Sequence, residues 1–157
     1  GGLGMGFTLR ATLDLLASDA TVVIAELLPV VVEWNRGPLG PLAGHPLQDA
    51  RVELDVNDVG DTLVANPGRF DAVLLDVDNG PSAFTTSGNS RLYGDAGLKR
   101  AYSALTPDGV LAVWSAHNDR KFEQRLRYAG FKVEVEQVRA RLKKGGPRHT
   151  IFIGRKR

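Results

Sequence analysis

Acidic side chains that directly follow predicted strands are the residues of this sequence best suited to chemistry. Asp76 and Asp78 stand at the carboxyl end of the apolar segment 70–77, in the stretch DVDNGP. Glu26 and Asp58 each follow an earlier segment of the same kind. A carboxylate can accept hydrogen bonds from hydroxyl or amine groups and can take up a proton. Asp76 and Asp78 are expected to act separately, and not as a pair that shares one proton.

A glycine-rich turn at the start of the sequence offers a second kind of site. The stretch GGLGMG places Gly2, Gly4 and Gly6 at alternate positions, and an apolar pattern of helical spacing follows from Leu9. Such a turn presents free backbone N–H groups and the positive end of a helix dipole to a ligand. Glu26 lies twenty positions after Gly6, the spacing at which nucleotide-binding α/β folds hold a ribose. The G-x-G-x-G spacing favours a nucleoside over a dinucleotide.

The segments between these residues alternate between strand and helix patterns, which predicts an α/β fold with a mostly parallel sheet. The last two strands are joined by a link too short for a helical crossover, so we expect them to be antiparallel. The predicted strands cover residues 21–26, 51–56, 70–77, 110–115, 131–138 and 150–153, and the predicted helices after the first cover 27–36, 59–65, 92–105 and 119–129.

The glycine turn has no predicted strand in front of it, although turns of this type normally follow one. In such folds that strand is the central one of the sheet. We therefore expect residues 1–157 to form a single Rossmann-like nucleoside-binding catalytic domain that lacks its first, central strand. The sequence is then the larger part of a longer protein.

Composition excludes several classes of protein. The 157 residues suit one domain, and no run of eighteen apolar residues predicts a membrane span. The absence of cysteine excludes disulfides and thiolate chemistry and makes a cytoplasmic location the default expectation. Eight Lys or Arg residues and no acid occur from Arg139 onward, which leaves 12 basic against 18 acidic residues elsewhere. An acidic body with a basic tail does not predict nucleic-acid binding.

Two catalytic classes are disfavoured by spacing. The histidines His45, His117 and His149 are scattered, so no metal site is expected. A Ser-His-Asp hydrolase would require a G-x-S-x-G motif, which is absent.

Several stretches resemble the spermidine synthase family of the class I S-adenosylmethionine-dependent methyltransferase fold. They are GGLGMGF, Glu26, the Asn57-Asp58 pair, FDAVLLDVDNGP and RLYGDAGLKRAYSALTPDGVLAVWSA. The resemblance implies transfer of an aminopropyl group from decarboxylated S-adenosylmethionine to a small-molecule amine, with release of methylthioadenosine.

By position, the resemblance makes Asp76 the base that takes a proton from the attacking amine. Glu26 would bind the ribose and Asp58 the adenine, with Gly2, Gly4 and Gly6 in the nucleoside turn. Tyr93 would be an aromatic of the acceptor cleft, while Asp78 and Asn79 would contact the amine. Independently of the resemblance, the small residues of the segment 80–90 predict a loop that closes over the cleft as a lid.

Departures from the family pattern keep other functions open. The family has an acid where this chain has Gly4, and its D-x-x-D-P motif becomes Asp76-Val77-Asp78-Asn79-Gly80. A methyltransferase would use ordinary S-adenosylmethionine at the same site. A non-catalytic nucleoside-binding or scaffold protein is the third alternative, and a homodimer is left open.

Overall fold

The computed structural model describes residues 1–77, 80–81, 91–139 and 146–157. Strands alternate with helices along the chain, and parallel and antiparallel strands both occur, which confirms the predicted α/β fold. The helices are α1 (Phe7–Leu15), α2 (Pro29–Arg36), α3 (Val59–Ala65), α4 (Asp95–Ala104) and α5 (Arg120–Tyr128); the strands are β1 (Val22–Ala25), β2 (Val52–Asp55), β3 (Phe70–Leu75), β4 (Leu105–Ser115), β5 (Lys132–Arg139) and β6 (Arg148–Arg155).

The chain divides into two compact units, Gly1–Thr62 and Leu63–Arg157, with the boundary inside α3. In the first unit β1 and β2 form a parallel pair. In the second, the strand order is β3-β4-β6-β5, with β3 parallel to β4 and β6 antiparallel to both neighbours. The predicted strand directions are therefore confirmed. The described strands form two sheets, one in each unit.

The core of the first unit collects apolar side chains from each of its main elements. Leu9 and Leu13 lie one helical turn apart on α1, and they cluster with Leu3, with Ile24 of β1 and with Val32 of α2. All five are at most 7% exposed. Burying a side chain of this size contributes about 1.5–3 kcal/mol. This cluster fixes the start of α1, and with it the glycine turn, against β1 and α2.

Arg51 fastens the carboxyl end of α1 to the beginning of β2. Its Nη1 donates to the carbonyl oxygens of Leu13, Leu16 and Ala17 at 3.0, 3.0 and 3.2 Å. Its Nε and Nη2 donate to the two carboxylate oxygens of Asp49 at 2.9 and 2.8 Å. The guanidinium thereby satisfies carbonyls that a helix end leaves without partners.

This pair predicts a specific loss of stability in acid. The hydrogen bonds from Arg51 hold the pKa of Asp49 well below its usual range. A carboxyl whose pKa is depressed by folding stabilises the native state above its unfolded pKa, and that contribution is lost as pH falls through the folded value. We expect Asp49→Asn to lower the free energy of unfolding at pH 7, with a difference from wild type that shrinks below about pH 4. Urea denaturation between pH 7 and 2.5 measures this.

The matched control for the acid experiment is Asp19→Asn, because Asp19 is an exposed acid of the same unit. It should follow the wild-type stability curve at every pH. An Asp49→Asn curve that runs parallel to wild type throughout would contradict the assignment.

Aromatic side chains build the core of the second unit. The ring of Phe122 on α5 meets Tyr93 and Phe152 edge-on, with centroids 5.8 and 5.1 Å away. All three side chains are at most 1% exposed. Asp119 caps α5, since its Oδ1 accepts hydrogen bonds from the N–H groups of Lys121 and Phe122.

Strand β4 begins earlier than the sequence predicts. The segment 106–109, whose residues predict a turn between the helix 92–105 and the strand 110–115, lies inside β4. The pairing with β3 shifts there, between Phe70 and Ala72. Asp108 has a φ of 61°, so a local irregularity interrupts the ladder there. The helix ends at Ala104, as the turn-forming residues predict, but these residues form a bulge inside β4 rather than a separate turn.

Strands β3 and β5 stand at the two ends of the order within the four-stranded sheet and pair on one side only in the described part of the chain. Most side chains of β5 are exposed, and charged residues recur along it: Lys132, Glu134, Glu136 and Arg139.

Candidate functional site

The glycine turn has the backbone conformation that its composition predicts. Gly2, Gly4 and Gly6 have φ values of 83°, 52° and 80°, a region that other residues rarely adopt. A Cβ at Gly4 would meet no atom of the described residues within 4 Å, so in this part of the chain that side of the turn is open. A Cβ at Gly6 would lie 3.0 Å from Asn35 Oδ1 and from Pro46 Cγ. One face of the turn is therefore packed and the other is accessible.

The amides of the turn divide into two groups. The N–H groups of Gly2, Leu3 and Gly6 donate to Ala25 O, Glu26 Oε2 and Leu3 O, at 2.9, 2.8 and 2.9 Å. The N–H groups of Gly4 and Met5 donate to no acceptor within the described ranges. These two amides are donors available to a ligand at the open side of the turn.

Glu26 ties the turn to the end of β1. It is 8% exposed, and its Oε2 and Oε1 accept hydrogen bonds from the N–H groups of Leu3 and Leu28, the latter at 2.9 Å. An ionised carboxylate has about four acceptor positions, so about two remain for other donors. The structure thus brings Glu26 and the glycine turn together, as the sequence predicts.

Asp58 follows β2 on the same edge of the parallel pair. Ala25 and Asp55 are register partners at the ends of β1 and β2, so Glu26 and Asp58 both continue from adjacent strand ends. Asp58 Oδ1 accepts a hydrogen bond from Gly60 N at 2.7 Å, which caps the start of α3. The exposed side chain therefore has a structural role besides the ligand contact predicted for it.

Exposed apolar side chains accompany the two acids, and the sequence analysis missed them. Val56 directly follows β2, and Leu27 and Leu28 lie two and three positions after the end of β1. The three side chains Leu27, Leu28 and Val56 are 62%, 53% and 49% exposed. Their positions in the sequence could have revealed them, because an apolar residue next to an acid at a strand end lies beside any ligand that the acid binds.

The second unit carries the other predicted site residues. Asp76 directly follows β3 and is exposed. Tyr93 is 1% exposed, and its hydroxyl donates to Val77 O at 3.3 Å. The tyrosine therefore supports the backbone next to Asp76, and its placement in an acceptor cleft stays a prediction. Asp78, Asn79 and most of the predicted lid at 80–90 lie outside the described residues.

Two further properties concern only the described ranges. They contain no group of three or more His, Cys, Asp or Glu side chains arranged to hold a metal ion. None of their helices is both long enough and apolar enough to cross a bilayer.

Comparison with solved structures identifies the fold. The chain matches spermidine synthase from Thermotoga maritima at a TM-score of 0.78 and 20% identity, over 99% of its own length. A spermidine synthase in complex with the transition state analogue AdoDATO matches at 0.79 and 20%, and human methyltransferase-like protein 13 in complex with SAH at 0.73 and 19%. The fold is class I methyltransferase-like.

The match extends over only part of these proteins. The chain spans about half of the two spermidine synthases, 52% and 53%, and 69% of methyltransferase-like protein 13. No protein-family model and no curated protein sequence matches it. Identities near 20% establish the class I methyltransferase-like fold and leave the reaction to be argued from the residues.

Proposed function

We propose that this chain binds the nucleoside part of an S-adenosylmethionine-type group donor and belongs to a spermidine synthase-like aminopropyltransferase. The observation that carries the proposal is the arrangement at the ends of β1 and β2. There the buried Glu26 carboxylate accepts a hydrogen bond from Leu3 N of the turn, and the next two amides of the turn, those of Gly4 and Met5, have no acceptor among the described residues. That combination provides acceptors for a diol and donors for an adjoining polar group.

The remaining side chains at this edge suit an adenosine. The ribose hydroxyls would donate to the free acceptor positions of Glu26. The adenine ring would lie against apolar Leu27 and Val56, which are otherwise exposed to water. Its exocyclic amine would donate to Asp58 Oδ2, because Oδ1 is occupied by the cap of α3.

The proposed reaction assigns the proton transfer to Asp76. The amine nitrogen attacks the donor carbon bonded to the sulfonium; the C–N bond forms, the C–S bond breaks and its electron pair stays on sulfur, which releases methylthioadenosine. Asp76 accepts the proton that the amine must lose to be a nucleophile. The hydroxyl of buried Tyr93 supports this step by holding Val77 O, the carbonyl next to the base.

One observation favours the second candidate, a methyltransferase that uses ordinary S-adenosylmethionine. At the open side of the turn this chain has Gly4 rather than an acid, together with two amide donors. Amide donors suit a carboxylate and do not suit an ammonium group. A non-catalytic nucleoside-binding or scaffold role is the third candidate.

Binding of methylthioadenosine tests the nucleoside site. Isothermal calorimetry should show binding, and Asp58→Asn should weaken it about three- to tenfold by removing one charge-assisted hydrogen bond. Asparagine still caps a helix, so α3 should be kept. The control is Asp61→Asn, an exposed acid within α3, which should bind as wild type does. If wild-type protein binds neither methylthioadenosine nor S-adenosylhomocysteine, the proposed site is wrong.

The two transferase candidates are separated by their products. Protein incubated with putrescine and either donor should release methylthioadenosine from decarboxylated S-adenosylmethionine, detected by mass spectrometry. Release of S-adenosylhomocysteine from S-adenosylmethionine with a methyl acceptor would establish the methyltransferase instead.

A further inference from the structure

A buried amide side chain on α2 reaches the glycine turn from its packed side. Asn35 is 1% exposed, and its Nδ2 donates to two carbonyl oxygens, Gly4 O at 2.8 Å and Val31 O at 2.9 Å. Its Oδ1 has no hydrogen-bond partner among the described residues. The bond to Val31 is local to the helix, whereas the bond to Gly4 spans 31 positions of sequence. Burying a polar side chain that leaves one acceptor without a partner costs free energy. An asparagine at this position is therefore expected to have a role that offsets this cost.

The role of Asn35 follows from the geometry of the peptide group between Gly4 and Met5. The carbonyl of Gly4 and the N–H of Met5 belong to one planar trans peptide and point in opposite directions. Because Asn35 holds the Gly4 carbonyl on the packed side, the Met5 N–H points away from Asn35. A Cβ at Gly4 would meet no atom of the described residues within 4 Å. The Met5 N–H has no acceptor within the described chain.

The unpaired side-chain oxygen of Asn35 limits the space at a second glycine of the turn, Gly6. Asn35 Oδ1 occupies the space into which a side chain at Gly6 would project, 3.0 Å from an ideal Cβ. Gly6 is the residue before α1 and has a φ of 80°. One asparagine therefore defines both the orientation of the Gly4–Met5 peptide and the space around the last turn residue.

We infer that Asn35 is a positioning residue that aims the Met5 amide at the ligand. The inference rests on the proposed nucleoside site. The amide would donate to a polar group of the ligand beyond the ribose, and Asn35 would affect affinity without touching the ligand.

The test uses the single methionine of the sequence. Within residues 1–157, protein labelled with ¹⁵N-methionine gives one backbone amide signal, that of Met5. Asn35→Ser is the informative variant: a serine hydroxyl can donate to the carbonyl four residues earlier, Val31 O, but is too short to reach Gly4 O. The control, Leu126→Ala, removes a buried side chain of α5 in the second unit and does not touch the cluster that fixes the glycine turn.

In wild-type protein, methylthioadenosine or S-adenosylhomocysteine should shift the Met5 signal. Asn35→Ser should change the ligand-free signal, reduce the ligand-induced shift and weaken binding about five- to tenfold. Leu126→Ala should lower the melting temperature at least as much while its affinity stays within twofold of wild type. Equal responses in wild type and Asn35→Ser would overturn the inference and leave the nucleoside site standing. A wild-type Met5 signal that neither ligand moves would overturn the proposed site itself.

A measurement on the wild-type chain applies even if Asn35→Ser fails to fold. Both Nδ2 protons of Asn35 are hydrogen-bonded, so its side-chain amide should exchange with D₂O at least tenfold more slowly than an exposed asparagine, and more slowly still with ligand. Asn57 is an exposed asparagine for comparison. Equal exchange rates for the two side chains would overturn the assignment.

Discussion

Replacing Asp76 by Asn is expected to lower turnover with an amine acceptor by a factor of roughly 10²–10⁴, the range for loss of a general base. An alkyl amine is almost wholly protonated at neutral pH and is a nucleophile only after it loses a proton. Asparagine keeps the size of the side chain but cannot accept that proton. Affinity for methylthioadenosine should stay near the wild-type value, because the nucleoside contacts proposed here come from Glu26 and Asp58. Single-turnover kinetics and calorimetry measure the two quantities separately.

The control for this experiment is Asp95→Asn, which removes an exposed carboxylate from the first turn of α4. It should keep normal turnover. Tyr93→Phe should lower turnover less than Asp76→Asn, since it removes only the hydroxyl that binds Val77 O. Near-normal turnover in Asp76→Asn would exclude this acid as the base and would make the methyltransferase the leading candidate.

The second large effect is expected at Glu26, where binding and folding depend on one carboxylate. Glu26→Gln removes the charge that strengthens hydrogen bonds to a diol, a loss on the order of 1.5–3 kcal/mol, or roughly ten- to a hundredfold in affinity. The amide also has only one acceptor oxygen for the N–H groups of Leu3 and Leu28. One of these donors then loses its partner, which should destabilise the protein by about 1–3 kcal/mol.

Calorimetry with methylthioadenosine and urea denaturation measure the two consequences of Glu26→Gln. Glu33→Gln, at an exposed position of α2, should change neither. If Glu26→Gln keeps the wild-type affinity for methylthioadenosine but is less stable, the carboxylate only stabilises the glycine turn and the nucleoside binds elsewhere.

The features that were predictable from sequence are those that leave a local pattern. Alternating glycines predicted the positive φ values of Gly2, Gly4 and Gly6, and an apolar run ending in an acid predicted β1 and Glu26. The directions of the strands followed from the lengths of their connections.

The contacts that were not predictable join residues distant in sequence through a side chain and a backbone group. Asn35 reaches Gly4 across 31 positions, and Arg51 reaches Leu13 across 38. A single polar residue on a helix produces no periodicity that would reveal such a partner. The bulge at Asp108 was misjudged for a related reason, because Pro, Asp and Gly favour a turn and a bulge alike.

The composition of β5 also affects how copies of this protein behave in concentrated solution. In the described chain β5 has a neighbour, β6, on one side only, so its outer N–H and C=O groups could pair with a strand of another molecule. Charged residues at positions 132, 134, 136 and 139 oppose the close, in-register stacking that amyloid growth requires. Neutralising them should therefore shorten the lag time for fibril formation while the native fold is kept, and the charge pattern of this strand acts as protection against aggregation.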